Sequence, residues 1–147
     1  MLPSVDFCGL RVNRLIVGAN PFGGFSHQSK ARNAEMIDFH TLEQIHETWS
    51  RAESAGINTM ITNNETPRVM HAVNTYLSGG GALQWIAQVN NRSKPTMADS
   101  VEEVVEMGCK ALYFHGAKVD RLYAEQDEKT LREWVGHAKS CGVIVGV

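Results

Sequence analysis

His115 closes the apolar run Ala111-Leu-Tyr-Phe and is followed by Gly116. An imidazole at the end of a strand can serve as acid, base or metal ligand. It can equally be a hydrogen-bonded rim histidine with no chemistry. Other polar groups follow the remaining apolar runs in the same way. Asn20 and His27 come after the run at 14–18, and Asn63, Asn64 and Glu65 after the run at 57–62. Gln88, Asn90 and Asn91 end the run at 83–89, and Asp120 lies shortly beyond His115. These side chains are candidate ligand-binding groups, with His115 the candidate catalytic one. Each also has a plainer reading. Asn63-Asn64-Glu65 suits a turn with helix-capping chemistry, His27 an exposed loop, and Asp120-Arg121 a loop ion pair. Glu65 and His115 together would supply two metal ligands, too few for a structural zinc, so no metal site is assigned.

These residues need elements that bring them to one edge. The sequence predicts a repeating order of apolar strand, amphipathic helix and glycine. Strands are expected over 14–18, 57–62, 83–89, 111–115 and 143–147, and a hairpin before the first. Residues 20–40, rich in Gly, Asn, Ser and His, read as a long loop. Helices are expected from Thr41, with Gln44 completing a capping box, and from Thr66-Pro67. Further helices are expected at Ser100, with Glu103 completing a box, and at Asp127 or Thr130. Gly56, Gly108 and Gly142 stand where helices end. Such βα repeats argue for a parallel sheet. The repeat alone fits a half barrel or an open doubly wound sheet. The stretch Gly18-Ala-Asn-Pro-Phe-Gly-Gly24 lacks dinucleotide-binding spacing, and no phosphate-loop motif is present.

Composition narrows the classes. The formal net charge is -2 and the basic residues are scattered, which gives no nucleic-acid footprint. Apolar runs are too short to span a bilayer, so no membrane partner is expected. The N-terminus lacks a basic region followed by an apolar one, as a leader would have. Three cysteines, Cys8, Cys109 and Cys141, fit no zinc spacing. They are expected as small buried hydrophobes in a cytoplasmic protein.

Several segments resemble the aldo-keto reductases. Gly9-Leu-Arg-Val-Asn-Arg-Leu-Ile-Val-Gly-Ala-Asn-Pro-Phe-Gly-Gly24 is similar to that family's N-terminal segment, where a hairpin plugs the barrel bottom. Ala55-Gly-Ile-Asn58 resembles its lead into the second barrel strand. Leu112-Tyr-Phe-His115 resembles a strand ending in a catalytic-pocket histidine. Nearly the whole chain is similar to uncharacterised bacterial barrels related to that family, through Asn20 to His27, Gln84 to Gln88, His115-Gly116 and Asp120 to Leu122. The resemblance implies a fold and withholds a chemistry. The family's aspartate position falls on Ile61 and its tyrosine position on Thr66, and 83–89 contains no lysine. Only His115 matches, so carbonyl reduction lacks its proton donor. The cofactor's phosphate contacts would come from later strands. NADPH is therefore not expected; a flavin-type or phosphorylated ligand is.

A complete (β/α)₈ barrel needs eight units and roughly 250 residues. The 147 residues here read as one domain, a (βα)₄ half-barrel with an N-terminal hairpin and a fifth strand. Val143, Ile144, Val145 and Val147 would each contribute roughly 1.5–3 kcal/mol on full burial. Open strand edges invite pairing. A self-associating, ligand-binding half-barrel is therefore expected. The alternatives are an enzyme acting on a small carbonyl or sugar-like substrate through His115, and a segment of a longer barrel.

Overall fold

The computed structural model describes residues 2–147. Thirteen elements follow in order. A hairpin, β1 (Ser4–Phe7) and β2 (Leu10–Asn13), comes first. Four helices and a strand follow: α1 (Asn20–Gly23), α2 (Lys30–Phe39), α3 (Leu42–Ser54), β3 (Thr59–Asn63) and α4 (Pro67–Ser78). The rest are β4 (Gln84–Val89), α5 (Met97–Glu106), β5 (Ala111–Phe114), α6 (Gly116–Ala124), α7 (Glu128–Ser140) and β6 (Ile144–Gly146). The fold is α/β, with a parallel four-stranded sheet in the order β3-β4-β5-β6 and a separate antiparallel hairpin. Sequential neighbours joined by helices are what a right-handed βαβ chain gives. The chain gathers into two compact units.

The first unit comprises Met1–Thr62 and Thr66–Gln84. Its hairpin turns at Cys8 and Gly9, both at positive φ (53° and 88°). That pair of angles matches the twist of two-residue hairpins. Asn58 anchors the hairpin, accepting from Asn13 N at 3.0 Å and donating to Arg11 O at 2.7 Å. Gln84 Nε2 donates to the same carbonyl at 2.9 Å. The unit's apolar centre is Ile45 and Trp49 of α3, Val69, Val73 and Tyr76 of α4, Met60 and Phe22. Trp49 meets Tyr76 and Phe22 edge-on at 5.2 and 5.8 Å. The expected Thr41/Gln44 capping box starts α3.

The second unit comprises Asn63–Glu65 and Trp85–Val147. Register pairs Gln88 with Tyr113 and Val89 with Phe114, and then Tyr113 with Gly146. Side chains alternate along each strand. One face carries Trp85, Ala87, Val89, Leu112 and Phe114, all buried. Phe114 packs on Trp134 of α7 at 5.5 Å, so this face looks at the helices. The other face carries Ile86 and Ala111 low on the strands, then half-buried Gln88 and Tyr113 at their C-terminal ends.

Four expectations are corrected. Residues 14–18 form no strand; only Val17 bridges to Met60. Arg14 N is already taken by Pro3 O, and beyond Gly18 the chain turns into α1. The stretch 20–40 holds two helices, α1 and α2, and is not one loop. The capping box of α5 is Thr96 with Asp99, and Ser100 lies buried inside the helix. An Asp in place of Glu or Gln at the third position hid it. Residues 116–124 are helical, so Asp120 and Arg121 are helix residues; Arg121 pairs with Glu125 at 2.8 Å. The cysteines also divide. Cys109 is buried, Cys141 half-buried and Cys8 exposed at the hairpin turn.

Candidate ligand site at the strand ends

Seven of the expected site residues, Asn63, Asn64, Glu65, Gln88, Asn90, Asn91 and His115, lie in the second unit, at or just past the C-terminal ends of β3, β4 and β5. Asn64 is 3% exposed. Its Nδ2 donates to Asn90 O at 2.9 Å, and its Oδ1 accepts from Asn90 N at 2.8 Å. The side-chain amide thus takes the place of a peptide group next to Asn90. Asn64 is therefore a support and not a contact for ligand. Asn63 Oδ1 accepts from Glu65 N at 3.0 Å, an Asx turn that leads the chain away from β3. Asn90 is 1% exposed, and its Oδ1 accepts from Asn91 N at 2.8 Å. Its Nδ2 is buried without a hydrogen-bond partner.

Three groups remain directed at chemistry. The Gln88 amide donates to the Tyr113 hydroxyl at 3.2 Å. That leaves the phenol proton free to be donated. Burial raises the Tyr113 pKa above its ordinary value, against a smaller lowering by the Gln88 bond, so the phenol stays protonated at neutral pH. His115 sits one residue past β5, where its backbone N donates to Val89 O at 2.9 Å. Its ring caps α6: Nδ1 accepts from Ala117 N at 3.2 Å. An accepting Nδ1 carries no proton, so the neutral ring presents N–H at Nε2. Among the described residues, Nε2 has no hydrogen-bond partner. The third group is Arg92, whose Nε stands 3.3 Å from Glu65 Oε1. The pair is ionic but lies outside hydrogen-bond geometry, and Glu65 Oε1 is buried without a hydrogen bond. The Glu65 side chain is 14% exposed and that of Arg92 70%. The carboxylate is therefore an anchor, and the guanidinium reaches into solvent.

The remaining expected residues lie elsewhere. Asp120 is exposed on α6 and makes no ion pair among the described residues. Asn20 and His27 belong to the first unit, where both are exposed and Asn20 Nδ2 stands 3.4 Å from His27 Nε2. His27 adopts a left-handed φ of 57°. Among the described residues no three His, Cys, Asp or Glu side chains converge to hold a metal ion. Tyr113 and Arg92 were not among the sequence candidates. Tyr113 had a signal, since it precedes His115 by two and so shares its face of the strand. Arg92 had none, because a loop arginine carries no period.

No family model, no curated protein and no solved structure matches this chain. No helix is long and apolar enough to cross a membrane.

Proposed function

We propose that this chain is a ligand-binding protein of half-barrel build that takes a small phosphorylated molecule at the strand ends of its second unit. The observation that carries this reading is the donor set. Tyr113 O–H, His115 Nε2–H and the Arg92 guanidinium are all donors, and one is a permanent cation. Adjacent strands lie about 4.8 Å apart, which puts consecutive strand-end groups within the span of one phosphate ester. Charge-assisted donors suit a phosphate, and arginine suits it best. The flavin-type ligand expected for a pocket shared by two half-barrels is, in its phosphorylated form, the bulkier member of this class. A likeness to aldo-keto reductases rests on sequence segments alone and supplies no proton donor at Thr66 or Ile61.

Titration with flavin mononucleotide, riboflavin and glucose 6-phosphate tests the reading. Binding of both phosphorylated probes and not riboflavin is expected, with Tyr113→Phe and Arg92→Gln each weakening it about tenfold. Riboflavin binding as tight as flavin mononucleotide would contradict it.

Self-association belongs to the same proposal. In the first unit Val5, Leu15 and Ile16 are 55%, 55% and 42% exposed, and Phe39 is 66% exposed. Exposed apolar groups that join into one patch mark a partner surface, and a second copy is the occupant we assign. Sedimentation at micromolar concentration should give a species larger than 16.2 kDa; a stable monomer would end this part of the proposal.

A second reading, an enzyme acting on a small carbonyl or sugar-like substrate, draws on His115. A neutral ring with a free Nε2–H is a hydrogen-bond donor able to polarise a carbonyl oxygen. His115→Asn keeps a helix cap and removes the imidazole. Loss of turnover with retained binding would favour the enzyme.

A further inference from the structure

A cavity lies in the first unit, where α3 and α4 both finish. It measures about 480 Å³ and is lined by His46, Ser50, Glu53, Ser54, Thr75, Tyr76 and the glycine turn after α4. That volume is in the range of small-molecule sites. We propose that this cavity is a second site, which binds a small organic ammonium compound.

The electrostatics are one-sided. Glu53 is the one ionised group in the lining, and no lysine or arginine contributes. Glu53 is fixed in place. Its Oε2 accepts the Tyr76 hydroxyl and, at 3.3 Å, the Ala82 N–H. Burial first, and then the bond to Glu53, push the Tyr76 phenol up, so it remains a donor and leaves the negative charge on the carboxylate. Glu53 Oε1 has no hydrogen-bond partner among the described residues. Two helix C-termini, at Ser54 and Ser78, add partial negative charge at the same place.

His46 Nε2 lies 3.0 Å from Ala72 O and 3.1 Å from Thr75 Oγ1. The carbonyl can only accept, so the ring donates from Nε2 and the hydroxyl receives no nucleophile-activating base. This excludes a Thr–His catalytic pair and leaves an acceptor-rich wall. Tyr76 adds an aromatic side. Its ring lies so close to Gly81 that a β-carbon there would stand 2.3 Å from it. Glycine at 81 thus lets the ring close the cavity floor. A carboxylate, hydroxyls and an aromatic ring, with no lysine or arginine, suit N–H donors on a positive charge. One carboxylate is too few for a calcium site, which takes six to eight oxygens.

The test is an amide-resolved NMR titration with 1,4-diaminobutane, with butane-1,4-diol as the uncharged isostere. The diamine should shift the amides of Ser50, Ser54, Gly80 and Gly81, the diol should not, and Glu53→Gln should weaken binding at least tenfold. Glu53→Gln keeps an acceptor for Tyr76; its thermal melt shows whether it remains folded. If it unfolds, Ser50→Arg, which places a cation at the exposed rim, must abolish the shifts instead. Equal shifts by diamine and diol, shifts spread over the surface, or no shift at millimolar diamine would each overturn the proposal.

Discussion

Asn64 shows what a buried amide can do at a strand end. Its two side-chain bonds to the backbone of Asn90 replace the pairing that β3 can no longer supply. Removing them leaves a donor and an acceptor buried and unpaired, at about 1–3 kcal/mol each. Asn64→Ala should therefore lower stability by about 2–6 kcal/mol in urea denaturation; a loss below about 0.5 kcal/mol would refute this role. Cys109 makes a second residue-scale prediction. Burial pushes its thiol up to about 12, against a small lowering by Lys110. The unfolded thiol has the lower pKa, so the native state holds the proton more tightly. The stability this confers is complete below about pH 9 and is lost as pH rises toward 12. At pH 8 a thiol reagent should modify exposed Cys8 quickly and spare Cys109 until the chain unfolds. The sequence made the polarity of Asn64 and His115 visible. It did not reveal that one amide is spent on backbone and one ring on a helix cap, because both depend on where a neighbouring strand ends.

At the scale of elements, the strongly periodic helices were legible. Thr41 with Gln44, and Asp127, begin helices where their cap chemistry says they should. Two of the misplaced helix starts, those of α5 and α6, share a cause, a cap that does not look like one. His115 caps α6 with a ring nitrogen, and Thr96 is answered by an aspartate. The true start of α5 can be tested by pairing two substitutions. Thr96→Ala should cost about 1 kcal/mol, the usual loss at an N-cap. Ser100→Ala should not lower stability and should raise it if anything, since its hydroxyl is buried without a partner and contributes no bond. The reverse ranking, read from the two denaturation midpoints, would restore the cap at Ser100. The segment 14–18 failed as a strand for a different reason. Apolar content allows pairing, but the hairpin end and the turn into α1 claim the backbone on either side of Val17.

For the whole molecule, composition and repeat order were enough to expect an α/β protein with a parallel sheet. They could not choose its ligand, because the groups that face one are set by strand register. Gln88 and Tyr113 become neighbours through the pairing of β4 with β5, across 25 residues of sequence. The alternation along each strand then separates a helix-facing apolar side from a face that turns polar at its C-terminal end. The central claim is that this polar end binds a phosphorylated molecule. The most direct measurement is an amide-resolved NMR titration with glucose 6-phosphate on the intact chain. The account predicts saturable shifts at Asn63 to Glu65, Gln88 to Arg92 and Tyr113 to Ala117, weakened about tenfold by Tyr113→Phe. Saturable binding that leaves these three segments unmoved, or no binding at millimolar ligand, would contradict it.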